Sequence, residues 1–328
     1  LLAVVPFWAE PGESFRLLMK RADMVAALLA VPVVARSRRT VALLLVCPAV
    51  ALVAVVWFEL FRVLQTFGVN AMAEARWTDP AVLNHHNIGA MAASVTVIVL
   101  AAAALAGRRR PLVWIGCLVA AAGLIAYEVV IGSRGPQLAL LAGLAALVLL
   151  LSSRGAARLG LFGVLGVVLL LLPVINPRFQ ATTREGLLVE RDIAWGHTLT
   201  MMKNKPWTGY GYGEKLYRKV YKATKPPRSA HRFMHPHNYV LHVAFMGGWG
   251  LAAVHAAMWG LAVAGLWRAT RRAGSLDEHV LPAAVLAVIV CIHVYGLIDT
   301  PTNVVAMLLM LTIPVTAWLL AEKREQPA

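Results

Sequence analysis

The chain has 328 residues, of which 59% are hydrophobic and 14% charged, with a formal net charge of +15. About 25% charged residues is ordinary for a soluble domain, and one aqueous core cannot hold this much apolar surface. The apolar residues come in runs of about twenty, the length of a membrane-crossing helix, at a mean hydropathy of +0.69. A closed β-barrel would instead show alternating segments of about ten residues. A basic soluble protein would suggest nucleic acid. Here the basic residues are divided among membrane loops, so the expected partners are anionic lipids or an anionic lipid-linked substrate, with no nucleic acid.

In chain order, spans are expected at 24–35, 40–64, 87–106, 111–131, 136–151, 159–175, 238–267, 279–298 and 303–321, with a stub at 1–8. The chain opens on Leu1, so its start is not read as a signal peptide. This gives an all-α, polytopic transmembrane helical bundle. N-terminal helices occupy 1–175, one long polar loop with helical segments occupies 176–236, and C-terminal helices occupy 237–328, all within one membrane domain. Cys47, Cys117 and Cys291 fall inside apolar runs with no CxxC or Cys/His spacing, and read as packing residues.

Short-loop Lys and Arg set the orientation. Clusters at Arg36/Arg38/Arg39, Arg108/Arg109/Arg110, Arg154/Arg158, Arg268/Arg271/Arg272 and Lys323/Arg324 all fall on one side if the spans alternate. That side is expected to be cytoplasmic, which puts the 176–236 loop on the opposite, outer side. The loop carries twelve Lys/Arg against four acids, a net +8. Long loops translocate largely regardless of charge. Its charge suits either contact with anionic headgroups or a site for a phosphate-rich substrate.

Several residues at the outer ends of the spans are candidates for chemistry. His235-Pro236-His237-Asn238 stands where the long loop meets the next span. A neutral histidine there can accept a proton near pH 7, or the pair can be interfacial residues capping a helix. Gly247-Gly248-Trp249-Gly250 follows, and reads as a tight packing point or a local helix break. Arg134, in Ser133-Arg134-Gly135, sits at a membrane boundary that positive charge normally avoids, where it either snorkels or meets an anion. Arg191 and Trp195 share a face if their stretch is helical, downstream of Arg184. The run Lys205-Pro206-Trp207-Thr208-Gly209-Tyr210-Gly211-Tyr212-Gly213 reads as turns at the membrane interface. It lacks the strand–turn–helix context of a dinucleotide loop. His85-His86-Asn87 and Asp299 close the set on the same side. Asp299 either orients a histidine or arginine, or caps a helix beginning at Pro301, the simpler reading. Glu59 and Glu128 fall within spans near an outer end, so each is a functional suspect or a group reaching the interface. The HxH spacing of His235 and His237 alone argues weakly for a metal, and no carboxylate-rich motif accompanies it, so no metal and no cofactor are expected.

Taken in order, Ser133-Arg134-Gly135, Arg191 to Trp195, the Lys205–Gly213 run, His237-Asn238 and the Gly247–Gly250 cluster resemble the O-antigen ligase and polymerase superfamily of bacterial envelope glycosyltransferases. The resemblance covers about residues 85–303 and is closest to the ligases. It implies a C-type glycosyltransferase-like fold without a nucleotide-sugar site. It also implies an undecaprenyl-pyrophosphate-linked glycan donor and a lipid A-core acceptor. By the matching motifs, His237 is the general base, and Arg134 and Arg191 hold the pyrophosphate. Arg184, Trp195, His235, Asn238, Asn87 and Asp299 support them. Competing readings are a polymerase or protein O-oligosaccharyltransferase using the same donor, and a flippase or exporter of a polyanionic lipid. Transporters of that kind place charge deep in their spans and show repeats. No repeat is visible here.

Overall fold

The computed structural model describes residues 38–68, 86–152, 167, 187–211, 214–224, 233 and 235–299. The spans expected at 24–35, 159–175 and 303–321, the stub at 1–8, and Arg184 lie outside these residues. The described elements are α1 (Arg38–Phe67), α2 (His86–Ala106), α3 (Pro111–Ile131), α4 (Arg134–Leu151), α5 (Leu187–Asn204), α6 (Glu214–Thr224), α7 (Tyr239–Arg272) and α8 (Leu276–Ile298). No strand occurs among the described residues. Six of these helices, all but α5 and α6, are long and apolar enough to cross a membrane. The protein is a polytopic helical membrane protein, with those six spans where hydropathy puts them.

Local sequence explains the helix ends. Pro111 opens α3, where its missing N–H costs nothing. Gly132 closes it in the left-handed region at φ 65°, donating its N–H to the Glu128 carbonyl. Asn238 caps α7 by accepting from the Leu241 N–H at 3.0 Å. Ser275 caps α8, with Asp277 and Glu278 in the first turn, where the helix dipole favours acids.

The centre of the bundle is α2 and α8. Of the residues in these two spans, 72% and 67% are buried by protein, against 28–39% in α1, α3, α4 and α7. Hydrocarbon is as apolar as leucine, so packing between spans depends on small residues that let backbones approach. Ala90, Ala93, Ala139, Ala283, Ala284 and Ala287 supply that surface in the core. At one end of the bundle, Arg108 pairs with Asp277 at 2.8 Å. This contact puts Arg108–Arg110 at the same end as Arg271 and Arg272 of α7, as the alternation of spans requires. Leu60 and Val63 of α1 pack on Val130 of α3, so α1 begins at that basic end too. The opposite end holds the starts of α2, α4 and α7 and the ends of α3 and α8. It is called the site end below.

Two spans carry carboxylates buried by protein, Glu59 and Glu128, and each has a polar partner. Glu59 is 1% exposed and pairs with Arg62 one turn on at 2.9 Å. Glu128 is 2% exposed and lies 2.6 Å from the Ser94 hydroxyl of α2. Ser94 also touches the Pro136 carbonyl at 3.1 Å. The Glu128 carbonyl accepts from the Gln137 amide at 3.0 Å. These contacts clamp the short turn joining α3 to α4. Glu128→Gln keeps a partner for Ser94 and is expected to cost under about 1 kcal/mol, whereas Glu128→Ala strands buried polar groups and should cost about 1–3 kcal/mol. Thermal unfolding of both variants in one detergent checks this, and equal midpoints would contradict it.

The 176–236 segment is more than a surface loop. Ala194 and Met201 of α5, Tyr217 and Tyr221 of α6, and Phe233 form an apolar cluster with Phe245 of α7. Within it Thr198 and the Tyr217 hydroxyl are hydrogen-bonded at 2.8 Å, and Tyr210 stacks on Phe245 with ring centres 5.0 Å apart. Trp207, by contrast, stands 74% exposed.

This unit is pinned to the bundle by a break in α7. Gly247 and Gly248 leave helical geometry, Gly248 at φ 71° and ψ −177°. Helix-internal hydrogen bonds are replaced by bonds to the 206–211 turn. Tyr210 N–H donates to the Phe245 carbonyl at 2.8 Å, Gly211 N–H to the Met246 carbonyl at 2.9 Å, and Trp249 N–H to the Pro206 carbonyl at 2.7 Å. Both readings open for the glycine cluster are observed, a local break and a close approach to the Trp207 backbone. The turn's backbone satisfies the freed groups, as membrane-depth irregular backbone requires.

Candidate functional site

Four segments remote in sequence meet at the site end: the start of α2 (Asn87), the α3–α4 turn (Ser133, Arg134), the run 235–238, and the end of α8 (Tyr295, Asp299). Asp299 is their hub. His237 Nδ1 lies 2.9 Å from its Oδ1, and His235 Nε2 lies 3.4 Å from the same oxygen. The Asn87 amide donates to Oδ2 at 3.2 Å, and the Tyr295 hydroxyl donates to Oδ2 at 3.4 Å. Asn87 is itself oriented, because the Ser133 hydroxyl donates to its Oδ1 at 2.6 Å. The hydrogen-bond chain from Ser133 through Asn87 therefore points toward the carboxylate.

Burial alone would push the Asp299 carboxyl up. Hydrogen bonds from His235 and His237, with the attraction of both rings, outweigh it and hold the group well below the usual carboxylate range. A depressed carboxyl stabilises the fold above its unfolded value of about 3.9 and loses that contribution only as pH falls through the depressed one. Asp299 is thus an anion throughout the range from pH 7 to about 4, and a loss of activity across it belongs to another group.

His237 is held in a conformation its sequence does not favour. Its φ is 51°, and it is the non-glycine residue with positive φ among the described residues. Such backbone costs about 1–3 kcal/mol and persists where surroundings over-determine it. Here Asp299 fixes one edge of the ring. Phe233 meets its face edge-on with centres 5.9 Å apart, and the His235 ring lies 4.2 Å away. With Nδ1 turned to Asp299, Nε2 is on the far side of a ring whose side chain remains 29% exposed. A carboxylate at Nδ1 fixes the tautomer that leaves a lone pair on Nε2. The arrangement can take a proton from a group presented at Nε2.

The predicted residues fall into three groups. His237, His235, Asn87 and Asp299 are in direct contact, and Asp299 serves the histidines, the less simple of the two sequence readings. Arg134 and Arg191 come to the same neighbourhood. Arg134 opens α4, is half-buried, and precedes Gly135, where a Cβ would sit 3.4 Å from the Tyr295 ring. Arg191, on α5, bears electrostatically on Tyr295. Trp195 lies one turn further along α5, half-buried, with its indole N–H unpartnered. Asn238 has a structural part, capping α7 and donating to the Leu297 carbonyl at 3.2 Å. Tyr295 and the Ser133 hydroxyl were not singled out by sequence. Tyr295 was legible in principle as a polar group one helical turn before Asp299. The starts of α2, α4 and α7 add positive dipole ends, which favour an anion here.

Residues 129–255 match the family described as O-antigen ligase. That stretch includes Arg134, Arg191, His235, His237 and the α7 break, and excludes Asn87 and Asp299. No curated protein matches the chain. Over that stretch the chain is similar to members of this family.

Proposed function

We propose that this protein transfers an O-antigen glycan from undecaprenyl pyrophosphate to a sugar hydroxyl of lipid A-core, at the periplasmic face of the bacterial inner membrane. The observation that carries this reading is the His237–Asp299 pair at 2.9 Å, set among the starts of three helices and joined through Asn87 to Ser133, the residue before Arg134. In the proposed reaction His237 Nε2 takes the proton of the acceptor hydroxyl as its oxygen forms a bond to the anomeric carbon. The bond from that carbon to the pyrophosphate oxygen breaks, and the pyrophosphate leaves as an anion. Arg134 and Arg191 offset its charge. Pyrophosphate is already a good leaving group, so cations at its oxygens replace a general acid.

A retaining route through an enzyme nucleophile uses two carboxylates about 5 Å apart. Among the described residues, Asp299 is the carboxylate touching the histidines, and its two oxygens are engaged by four side chains. This supports a single displacement with inversion.

Incubation of the purified protein with lipid-linked glycan and lipid A-core, without added metal or ATP, tests the proposal. Transfer to the core is the expected result. Extension of the glycan on its carrier would make the protein a polymerase, and no covalent product would remove both readings. Arg134→Lys and Arg191→Lys each keep the charge and lose the planar fork, and are expected to slow transfer about tenfold to a hundredfold. Full activity in both would overturn bidentate phosphate binding.

A further inference from the structure

The sequence offers His235 and His237 two residues apart and no carboxylate near them. The fold supplies one from 62 residues away. His235, His237 and Asp299 each present one ligand atom, and the three atoms lie within 4.8 Å of one another. We propose that this trio binds a zinc ion, and that zinc there inhibits the protein rather than serving it. The second half of the proposal rests on His237 acting as the general base.

The ligand set fits zinc by type. Two imidazole nitrogens and one carboxylate oxygen are a common catalytic-type zinc set, with a fourth position left for water. Magnesium and calcium prefer oxygen ligands only. It fits by distance as well. Zinc lies about 2.0–2.2 Å from such atoms, so its tetrahedral ligands stand about 3.4 Å apart. The edges to Asp299 are 2.9 Å from His237 and 3.4 Å from His235, and the third is within 4.8 Å. The outer shell is already built, because the Asn87 amide holds the carboxylate's other oxygen at 3.2 Å. The carboxylate is buried, and the half-buried rings leave a way in.

The inhibition follows from the tautomer. Zinc occupies Nδ1 of His237, the atom that now faces Asp299. The neutral ring's one proton then moves from Nδ1 to Nε2. The nitrogen that would receive the acceptor's proton becomes an N–H donor, and no lone pair is left for the reaction.

The test uses the full chain with no affinity tag, since a histidine tag binds zinc itself. After incubation with zinc chloride and removal of excess by gel filtration, retained zinc is measured, with magnesium chloride in parallel. One zinc per chain and no magnesium is expected. His235→Ala should lose the zinc, and Asn87→Ala should weaken its binding about 10–100-fold. His279→Ala, at the basic end, should retain it. Absence of bound zinc in the folded protein, or equal retention in His235→Ala, overturns the site and leaves the reading of His237 as base untouched. Zinc should also abolish glycosyl transfer, and a chelator should restore it. Zinc bound with transfer unaffected overturns the inhibition. Zinc bound with transfer dependent on it overturns both the inhibition and the metal-free mechanism.

Discussion

Asp299→Asn is expected to slow glycosyl transfer on the order of 10³–10⁴-fold while the protein remains folded. The size of the effect comes from a proton's position. The carboxylate can only accept at His237 Nδ1, so the ring carries its proton there and leaves Nε2 free. An asparagine amide can present its NH₂ to Nδ1 instead. The ring then turns its acceptor toward residue 299 and its N–H toward the substrate. His237→Ala removes the base altogether, and general base catalysis is worth about 10²–10⁴-fold. The two variants should not be additive, because they disable one unit. The measurement is the transfer rate for each single variant and for the double, with unfolding midpoints as the folding control. Near-normal transfer by His237→Ala would exclude it as the base. A double variant much slower than either single would show that Asp299 acts on something other than His237.

Gly248→Ala is expected to destabilise the protein by about 4 kcal/mol or more, enough to prevent recovery of folded material. Two costs combine. The backbone at φ 71° and ψ −177° is a region open essentially to glycine, at about 1–3 kcal/mol for other residues. A Cβ would also stand 2.3 Å from the Trp207 backbone carbon, and neither backbone can yield without breaking the bonds that join α7 to the 206–211 turn. Each buried group left unpaired costs about 1–3 kcal/mol more. Gly209 faces the same contact from the other side, where its Cβ would lie 2.6 Å from Gly247 and Gly248 nitrogens. Gly250→Ala is the control. Its Cβ meets nothing nearer than the Trp207 carbonyl at 3.8 Å, and alanine is the better helix former by up to about 1 kcal/mol. Expression and unfolding in detergent separate them, and a Gly248→Ala protein as stable as Gly250→Ala would dispose of the pinned break.

The sequence by itself determined the membrane architecture. Six described spans fall where twenty-residue apolar runs place them, because a bilayer has one thickness and backbone groups in it must pair within the helix. Charge counting also put Arg108–Arg110 and the end of α7 on one side, as the Arg108–Asp277 contact shows. His237 and Arg134 were legible as unusual residues at span ends, since charge and imidazole there stand against an apolar background.

What the tertiary structure decided is which of these residues touch. Capping a helix that begins at Pro301, which lies outside the described residues, was the simpler reading of Asp299, because a single chain shows local neighbours and the other reading needed a histidine from 62 residues away. The fold brings both histidines to that carboxylate, with Asn87 from a third segment and Tyr295 from its own helix. Glu128 read either as a functional suspect or as a group reaching the interface, and the Ser94 partner that α2 brings to it could not be read from sequence. The glycines of α7 announced an interruption, but the turn that fills it could not be read from them, since backbone hydrogen bonds leave no mark on side-chain identity. Hydropathy is local and additive, so it survives in the sequence. The polar contacts of the site depend on the directions of helices held apart by long stretches of chain, and exist only once the bundle is packed.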